Sequence, residues 1–190
     1  VQEGKKAEYL RAAAVADRGV MLSEPGMLHH TFDELDGEAF DFCWSEVYAN
    51  DSALAAHLAN PVVGEYLTAH AEFGADFAVE IYGSVGSELR ETLGGLPFPV
   101  QIYPTALGYS RVSTSPDSLS ASVVGTAPEA FGAATPFILV ARVKVQEGKK
   151  AEYLRAAAVA DRGVMLSEPG MLHHTFDELD GEAFDFCWSE

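Results

Sequence analysis

Apolar and polar positions change period several times along this chain, and each change marks an element. Between Gln2 and Gly26 the residues Tyr9, Ala12, Ala13, Ala16 and Val20 keep helical spacing, and Pro25-Gly26 supplies a stop. That pattern predicts one helix with a single apolar stripe. MLHHTFDE follows as a strand, with Leu28, His30 and Phe32 on one face and Met27, His29 and Thr31 on the other. Asp36-Gly37 signals a hairpin turn, after which Phe40, Phe42, Trp44, Glu46 and Tyr48 share one face of a second strand. Asn50 and Asp51 offer N-cap chemistry for SALAAHLANPVVGEYLTAHAEF, which Pro61 turns into a kinked helix or two short ones. DFAVEIYGSV reads as a further strand and SELRETLGG as a short helix. PFPVQIYPTALGYSRV is then an extended arm with one or two proline-limited edge strands. Residues 113–135, rich in Ser, Ala, Gly and Pro, read as a linker, and residues 136–145 as a buried strand with β-branched residues.

One feature overrides local pattern. Positions 1–46 return without a single change at 145–190. Natural repeats drift, and terminal repeats are normally the most divergent. Identity over this length points to an engineered or very recent duplication, or to an error in the sequence itself. A chain that starts at Val1 also reads as cut from something longer. The economical division is a core over 1–112 that lacks its first strand and carries the arm, a linker over 113–135, the missing first strand over 136–145, and a second copy of 2–46 over 146–190. Residues 1–144 and 47–190 each contain every core element. The second frame breaks the strand that carries Trp44 and Tyr48, whereas the first breaks a loop, so the first is expected to dominate. The surplus helix and hairpin would then exchange with another chain, and two frames close in energy would make a fold switch.

Taken in one frame, the order is strand, helix, strand, strand, helix, strand, which predicts an α+β, ferredoxin-like βαββαβ domain. Composition supports a packed fold, with 48% apolar and 11% aromatic residues. The net charge of −17 is spread over both copies and the middle. So acidic a chain predicts no nucleic-acid or anionic-membrane partner. Cys43 and Cys187 are one position counted twice, so no disulfide framework is expected, which suits a reducing cytoplasm. Cys43 faces away from Trp44 and reads as a small core or interface residue. No run reaches the length of a membrane span.

The pieces Val143-Lys144-Val145, Glu147-Gly148-Lys149, Ser23 to Gly26, and Phe42 through Leu58 with its F-x-W-x-E-x-Y and A-L-x-x-H-L patterns resemble the antibiotic biosynthesis monooxygenase family. The resemblance implies ferredoxin-like domains paired as a dimeric α+β barrel, hence a homodimer. It also implies oxidation of phenolic or hydroquinone substrates without metal or flavin, so no cofactor is expected. Haem-degrading relatives carry an Asn on the first strand where this chain has Ala141, which argues against haem chemistry. Against that frame, the join at Val112-Ser113 resembles old termini fused in a circular permutant.

The candidate site residues follow. His57 matches the family's helical histidine and is the first choice for acid–base work, with Tyr48 and Glu46 as its polar companions. A buried Glu46 with few lysines nearby is expected to have a raised pKa and act as a base. Trp44, Phe42, His30 and Tyr66 are the pocket candidates, able to shape a site for a planar molecule. The alternative for all of them is ordinary aromatic packing beneath helices. His29 and His30 point to opposite faces and form no metal pair, and His70 is expected at the surface. Two functions therefore stand open. One is a cofactor-independent monooxygenase acting on a small aromatic, with His57 or His30 taking the proton. The other is a non-catalytic dimeric binding or assembly module.

Overall fold

The structure is a computed structural model that describes residues 1–36, 39–110, 139–179 and 184–190. The linker, the join at Val112-Ser113 and the Gly37-Glu38 half of the hairpin turn lie outside these residues. The described residues divide into two compact units, residues 1–78 and residues 79–110 with 139–190. The chain is α+β, and no helix among the described residues is long and apolar enough to cross a membrane.

The first unit opens with α1 (Lys6–Ser23), which buries Tyr9, Ala13, Ala16 and Val20, the stripe expected from its spacing. A hairpin follows, β1 (Met27–Glu34) against β2 (Phe42–Tyr48), with His30 opposite Glu46 and Phe32 opposite Trp44. Phe40 falls outside β2 and is exposed, contrary to the face assigned to it. Pro61 divides the next stretch into α2 (Asp51–Leu58) and α3 (Pro61–Phe73). Each helix starts on an Asn. The Asn50 side chain accepts from the Ala53 amide and that of Asn60 from the Val62 amide, and Pro61 stands at the first turn, where its missing N–H costs nothing. Tyr66 of α3 joins Tyr9, Ala13 and Ala16 in one cluster, against which Phe32, Phe42 and Trp44 pack.

The second unit contains β3 (Val79–Tyr82), α4 (Ser87–Gly94) and β4 (Val100–Tyr103), the two strands pairing in parallel. It continues with β5 (Thr105–Ser110), β6 (Val140–Val143), α5 (Lys150–Ser167), β7 (His173–Glu178) and β8 (Phe186–Ser189). The last four strands form an antiparallel sheet in the order β5-β7-β8-β6. Two expectations are corrected here. The expected fourth strand of a single βαββαβ sheet, β3, pairs with β4 instead. The first strand, β6, pairs with β8 of the second copy, so the 1–144 frame is not the one adopted. The physical reason is proximity along the chain. The second copy follows β6 directly and closes the shorter loop, whereas the first copy ends at Glu46, well upstream of Val140, and closure entropy rises with loop length.

Placed between β5 and β6, the second hairpin has a different environment from its twin. Cys187 is buried where Cys43 is exposed, so the reading of Cys43 as a core residue holds only for its copy. Asp177 is fully buried where Asp33 is exposed, and it accepts hydrogen bonds from Thr105 at 2.7 Å and Thr175 at 2.9 Å. Burial pushes its pKa up, and the two hydroxyls only moderate the rise. The close approach of β5 to β7 depends on Gly108 (φ 148°), where a Cβ would stand 2.3 Å from the His174 carbonyl oxygen. Gly108→Ala is therefore expected to destabilise the second unit by about 2 kcal/mol, read by urea denaturation, because both the backbone angle and the packing exclude a side chain.

Candidate functional site

All seven residues singled out in the sequence lie in the first unit, on the hairpin face that α1, α2 and α3 cover or border. β-alternation puts His30, Phe32, Phe42, Trp44, Glu46 and Tyr48 on that face. The Asn50 and Asn60 caps then aim α2 and α3 so that His57 and Tyr66 meet them.

A polar chain runs through the centre. His30 Nδ1 lies 2.8 Å from Asp17 Oδ1 on α1, and its Nε2 lies 3.3 Å from Glu46 Oε1. Tyr48 donates to the other Glu46 oxygen at 2.8 Å. Burial alone would lower the pKa of His30, but Asp17 and Glu46 outweigh it and raise the pKa to about 9. His30 is thus an imidazolium at neutral pH and cannot be the proton acceptor. Burial likewise pushes Glu46 up, yet hydrogen bonding from His30, the nearby His57 and Tyr48 carry it below the usual carboxylate range. The expectation of a raised Glu46 pKa is reversed, because the histidines supply the positive charge that lysines do not. Tyr48 stays a neutral phenol, its pKa raised by burial and by the adjacent Glu46 carboxylate.

Beside this chain stands an aromatic stack. The His30 ring lies 4.4 Å from the Trp44 ring at 24°, and Trp44 lies 4.3 Å from Phe32, which in turn stacks on Phe42 at 4.7 Å. The Trp44 indole N–H donates to Tyr66 Oη at 3.0 Å. Tyr66 Oη bonds Tyr9 Oη at 2.7 Å, and Tyr9 Oη bonds His70 Nδ1 at 2.8 Å. His70, expected at the surface, is therefore half-buried inside this network, and burial lowers its pKa.

His57 is organised separately. Its Nδ1 lies 3.0 Å from Glu24 Oε2, and Asn60 donates to the other Glu24 oxygen at 2.5 Å. Its ring meets Tyr48 edge-on at 5.6 Å and lies 6.5 Å from His30. Asp17, Glu24 and Asn60 were not singled out from sequence, and Tyr9 was read only as part of the apolar stripe of α1. Two of them left a trace. Asp17 adjoins the apolar stripe of α1, and Glu24 stands at a helix end that the chain must cover. His29 points to the opposite face, as alternation requires, and bonds Thr31 at 3.4 Å.

The second copy is a built-in comparison. There Asp161 lies 2.7 Å from His174, Glu190 lies 3.0 Å from its other nitrogen, and Trp188 stacks at 4.4 Å. The carboxylate–imidazole–carboxylate array is thus produced by the segment itself. Tyr48, His57 and Tyr66 occur once, so the complete set exists once per chain. Two cavities stand out, and both belong to the second unit, neither to this site. One of about 260 Å³ is lined by Arg90, Leu93, Gly94, Val100 and Ile102, and one of about 10 Å³ includes Glu80, Tyr82 and Arg142. Among the described residues, no three His, Cys, Asp or Glu side chains are grouped to hold a metal ion.

Comparison with known proteins bears on the first unit. No curated protein and no solved structure matches the chain. The family model for antibiotic biosynthesis monooxygenase matches residues 1–77, which coincides with the first unit to within a residue. The aromatic stack, the Asp17–His30–Glu46 array and the Glu24–His57 pair therefore all lie within the stretch that matches the antibiotic biosynthesis monooxygenase family model.

Proposed function

We propose that the first unit is a monooxygenase that oxidises a small phenol or hydroquinone with O2, using no bound metal or flavin. The observation that carries this reading is the Glu24–His57 pair set against the Tyr48–Glu46–His30 chain. A carboxylate bonded at Nδ1 holds the imidazole proton there and leaves Nε2 as the basic nitrogen. His57 then takes the substrate's phenolic proton, and Tyr48, turning its hydroxyl from Glu46 to the substrate oxygen, stabilises with the His30 imidazolium the negative charge that develops. The resulting phenolate reduces O2 directly. For a phenol with a free ring position, one C–H and one O–H bond break, one new C–O bond and two carbonyls form, and the second oxygen leaves as water. Four electrons pass from the ring to O2, so the balance closes without another reductant. The proposal includes a homodimer, the assembly implied by the family resemblance, which sedimentation velocity checks.

The test is O2 uptake with a panel of hydroquinones and naphthols. The His57→Ala, Tyr48→Phe double variant is expected to lose at least about 100-fold in kcat/KM, as befits removal of a base and a donor. Equal rates for the variant and the wild type would remove the site. Glu24→Gln, which keeps the shape but not the charge, should cost about tenfold in kcat/KM, since no anion then fixes the tautomer and orientation of the His57 ring.

A second reading, a non-catalytic binding module, draws on the second copy. The array forms there without Tyr48, His57 or Tyr66, so its part in the first unit includes holding the hairpin to α1. Saturable binding of the same panel with no O2 uptake would favour this reading.

A further inference from the structure

The duplication places one helix sequence in two settings, and the difference exposes an unfilled binding face. In the first unit α1 is covered by α3. Val62 sits so close to Gly19 that a Cβ there would stand 2.9 Å from its methyl groups. One turn on, Tyr66 bonds Tyr9, and a further turn on, His70 bonds the same hydroxyl. At the other end Asn60 donates to Ser23 at 3.0 Å. Ala16 is 6% exposed and Val20 1%.

Helix α5 has the same eighteen residues. It lays Tyr153 and Ala157 on Phe176 and Phe186, as α1 lays Tyr9 and Ala13 on Phe32 and Phe42. Among the described residues, its other flank is uncovered: a Cβ on Gly163 would meet nothing within 4 Å, Ala160 is exposed, and Val164 is only half-buried. The groups that recognise α3 in the first unit (the glycine seat, the tyrosine hydroxyl and the terminal serine) recur as Gly163, Tyr153 and Ser167.

We propose that the Ala160–Gly163–Val164 face of α5 is a docking surface for a partner helix of the α3 type. Its chemistry is set by what covers the identical face. The helix begins Asn-Pro, presents a valine to seat over Gly163, and carries a tyrosine and a histidine at successive turns to reach Tyr153. The partner is a separate polypeptide and not a second copy of this chain. Each chain owns one such helix and two such faces, so transfer between copies uncovers one face for every face it covers and gains no contact. This inference does not rest on the proposed oxidation, because α5 belongs to the other unit.

The probe is a fluorescein-labelled peptide of residues 47–78, which has no α1 of its own to satisfy. It is titrated against the full chain by anisotropy. Saturable 1:1 binding that weakens at least tenfold in Gly163→Leu is the expected result. That variant fills open space on a helix, so it should fold. A peptide with Val62→Asp should bind at least tenfold more weakly. Absence of saturable binding overturns the proposal, as does equal affinity for wild type and Gly163→Leu, since the peptide would then be displacing α3 from α1. Sedimentation without peptide supplies the last check. Self-association that Gly163→Leu abolishes would assign the face to a second copy and overturn the separate partner.

Discussion

Between pH 6.5 and 9 the first unit is expected to lose about 2–3 kcal/mol of stability. His30 carries the effect. In the unfolded chain it titrates near 6.5, and in the folded unit Asp17 and Glu46 raise its pKa to about 9 despite burial. Below pH 6.5 both states hold the proton and the stabilisation is complete. Above that point the unfolded chain releases its proton while the folded unit keeps it, so stability falls with rising pH and the contribution is gone once the pH passes about 9. The full conversion of this rise gives about 3 kcal/mol, and the lower figure allows for solvent at Asp17, whose side chain is 39% exposed. Tyr48 stays protonated throughout the window, since burial raises its pKa.

The measurement is urea denaturation at pH 6, 7, 8, 9 and 10 in a Trp188→Phe background. That substitution leaves Trp44, which stacks on His30, as the only tryptophan and hence as a reporter of the first unit alone. His30→Gln should flatten the profile. A flat wild-type profile between pH 6.5 and 9 would show that His30 is not held as a cation.

Trp44→Ala should be the most damaging single substitution in the first unit, at about 3–4 kcal/mol. It removes the ring that stacks on His30 and Phe32 and meets Tyr66 edge-on at 5.6 Å, and with it the N–H that holds Tyr66. Trp44→Phe keeps an aromatic face and loses only that hydrogen bond, so about 1 kcal/mol is expected. Trp188→Ala should cost the second unit less than Trp44→Ala costs the first. Trp188 has the same His174 and Phe176 contacts but no tyrosine in the place of Tyr66. Far-UV circular dichroism across a urea series separates the three. Equal losses at Trp44 and Trp188 would mean that α3 contributes little to holding the stack.

The candidate residues were legible because strand alternation alone puts His30, Phe42, Trp44, Glu46 and Tyr48 on one face, and the cap at Asn50 and the break at Pro61 mark where the helices carrying His57 and Tyr66 begin. Their protonation was not legible. Glu46 lacks nearby lysines in sequence, but it meets His30 and His57 in space, and those contacts reverse the direction of its pKa. His70 was expected at the surface and Glu24 escaped notice, for a related reason. Each is a polar group whose burial depends on a partner, Tyr9 or His57, that lies far away in the chain.

The two copies separate what sequence determines from what only tertiary structure decides. Both form the same helix, Lys6–Ser23 and Lys150–Ser167, and both turn an antiparallel hairpin whose histidine sits between an aspartate and a glutamate and against a tryptophan. Period, capping and contacts close in sequence suffice for these features, so they recur wherever the segment is placed. Burial does not recur. Asp33 and Cys43 face solvent, while Asp177 and Cys187 are core, because β5 and β6 flank one hairpin and not the other. The stripe beyond Ala13 is sealed by α3, and the stripe beyond Ala157 is uncovered among the described residues. Local interactions are carried within the forty-six residues, but removal of surface from water depends on which distant elements arrive, and no property of the segment encodes that.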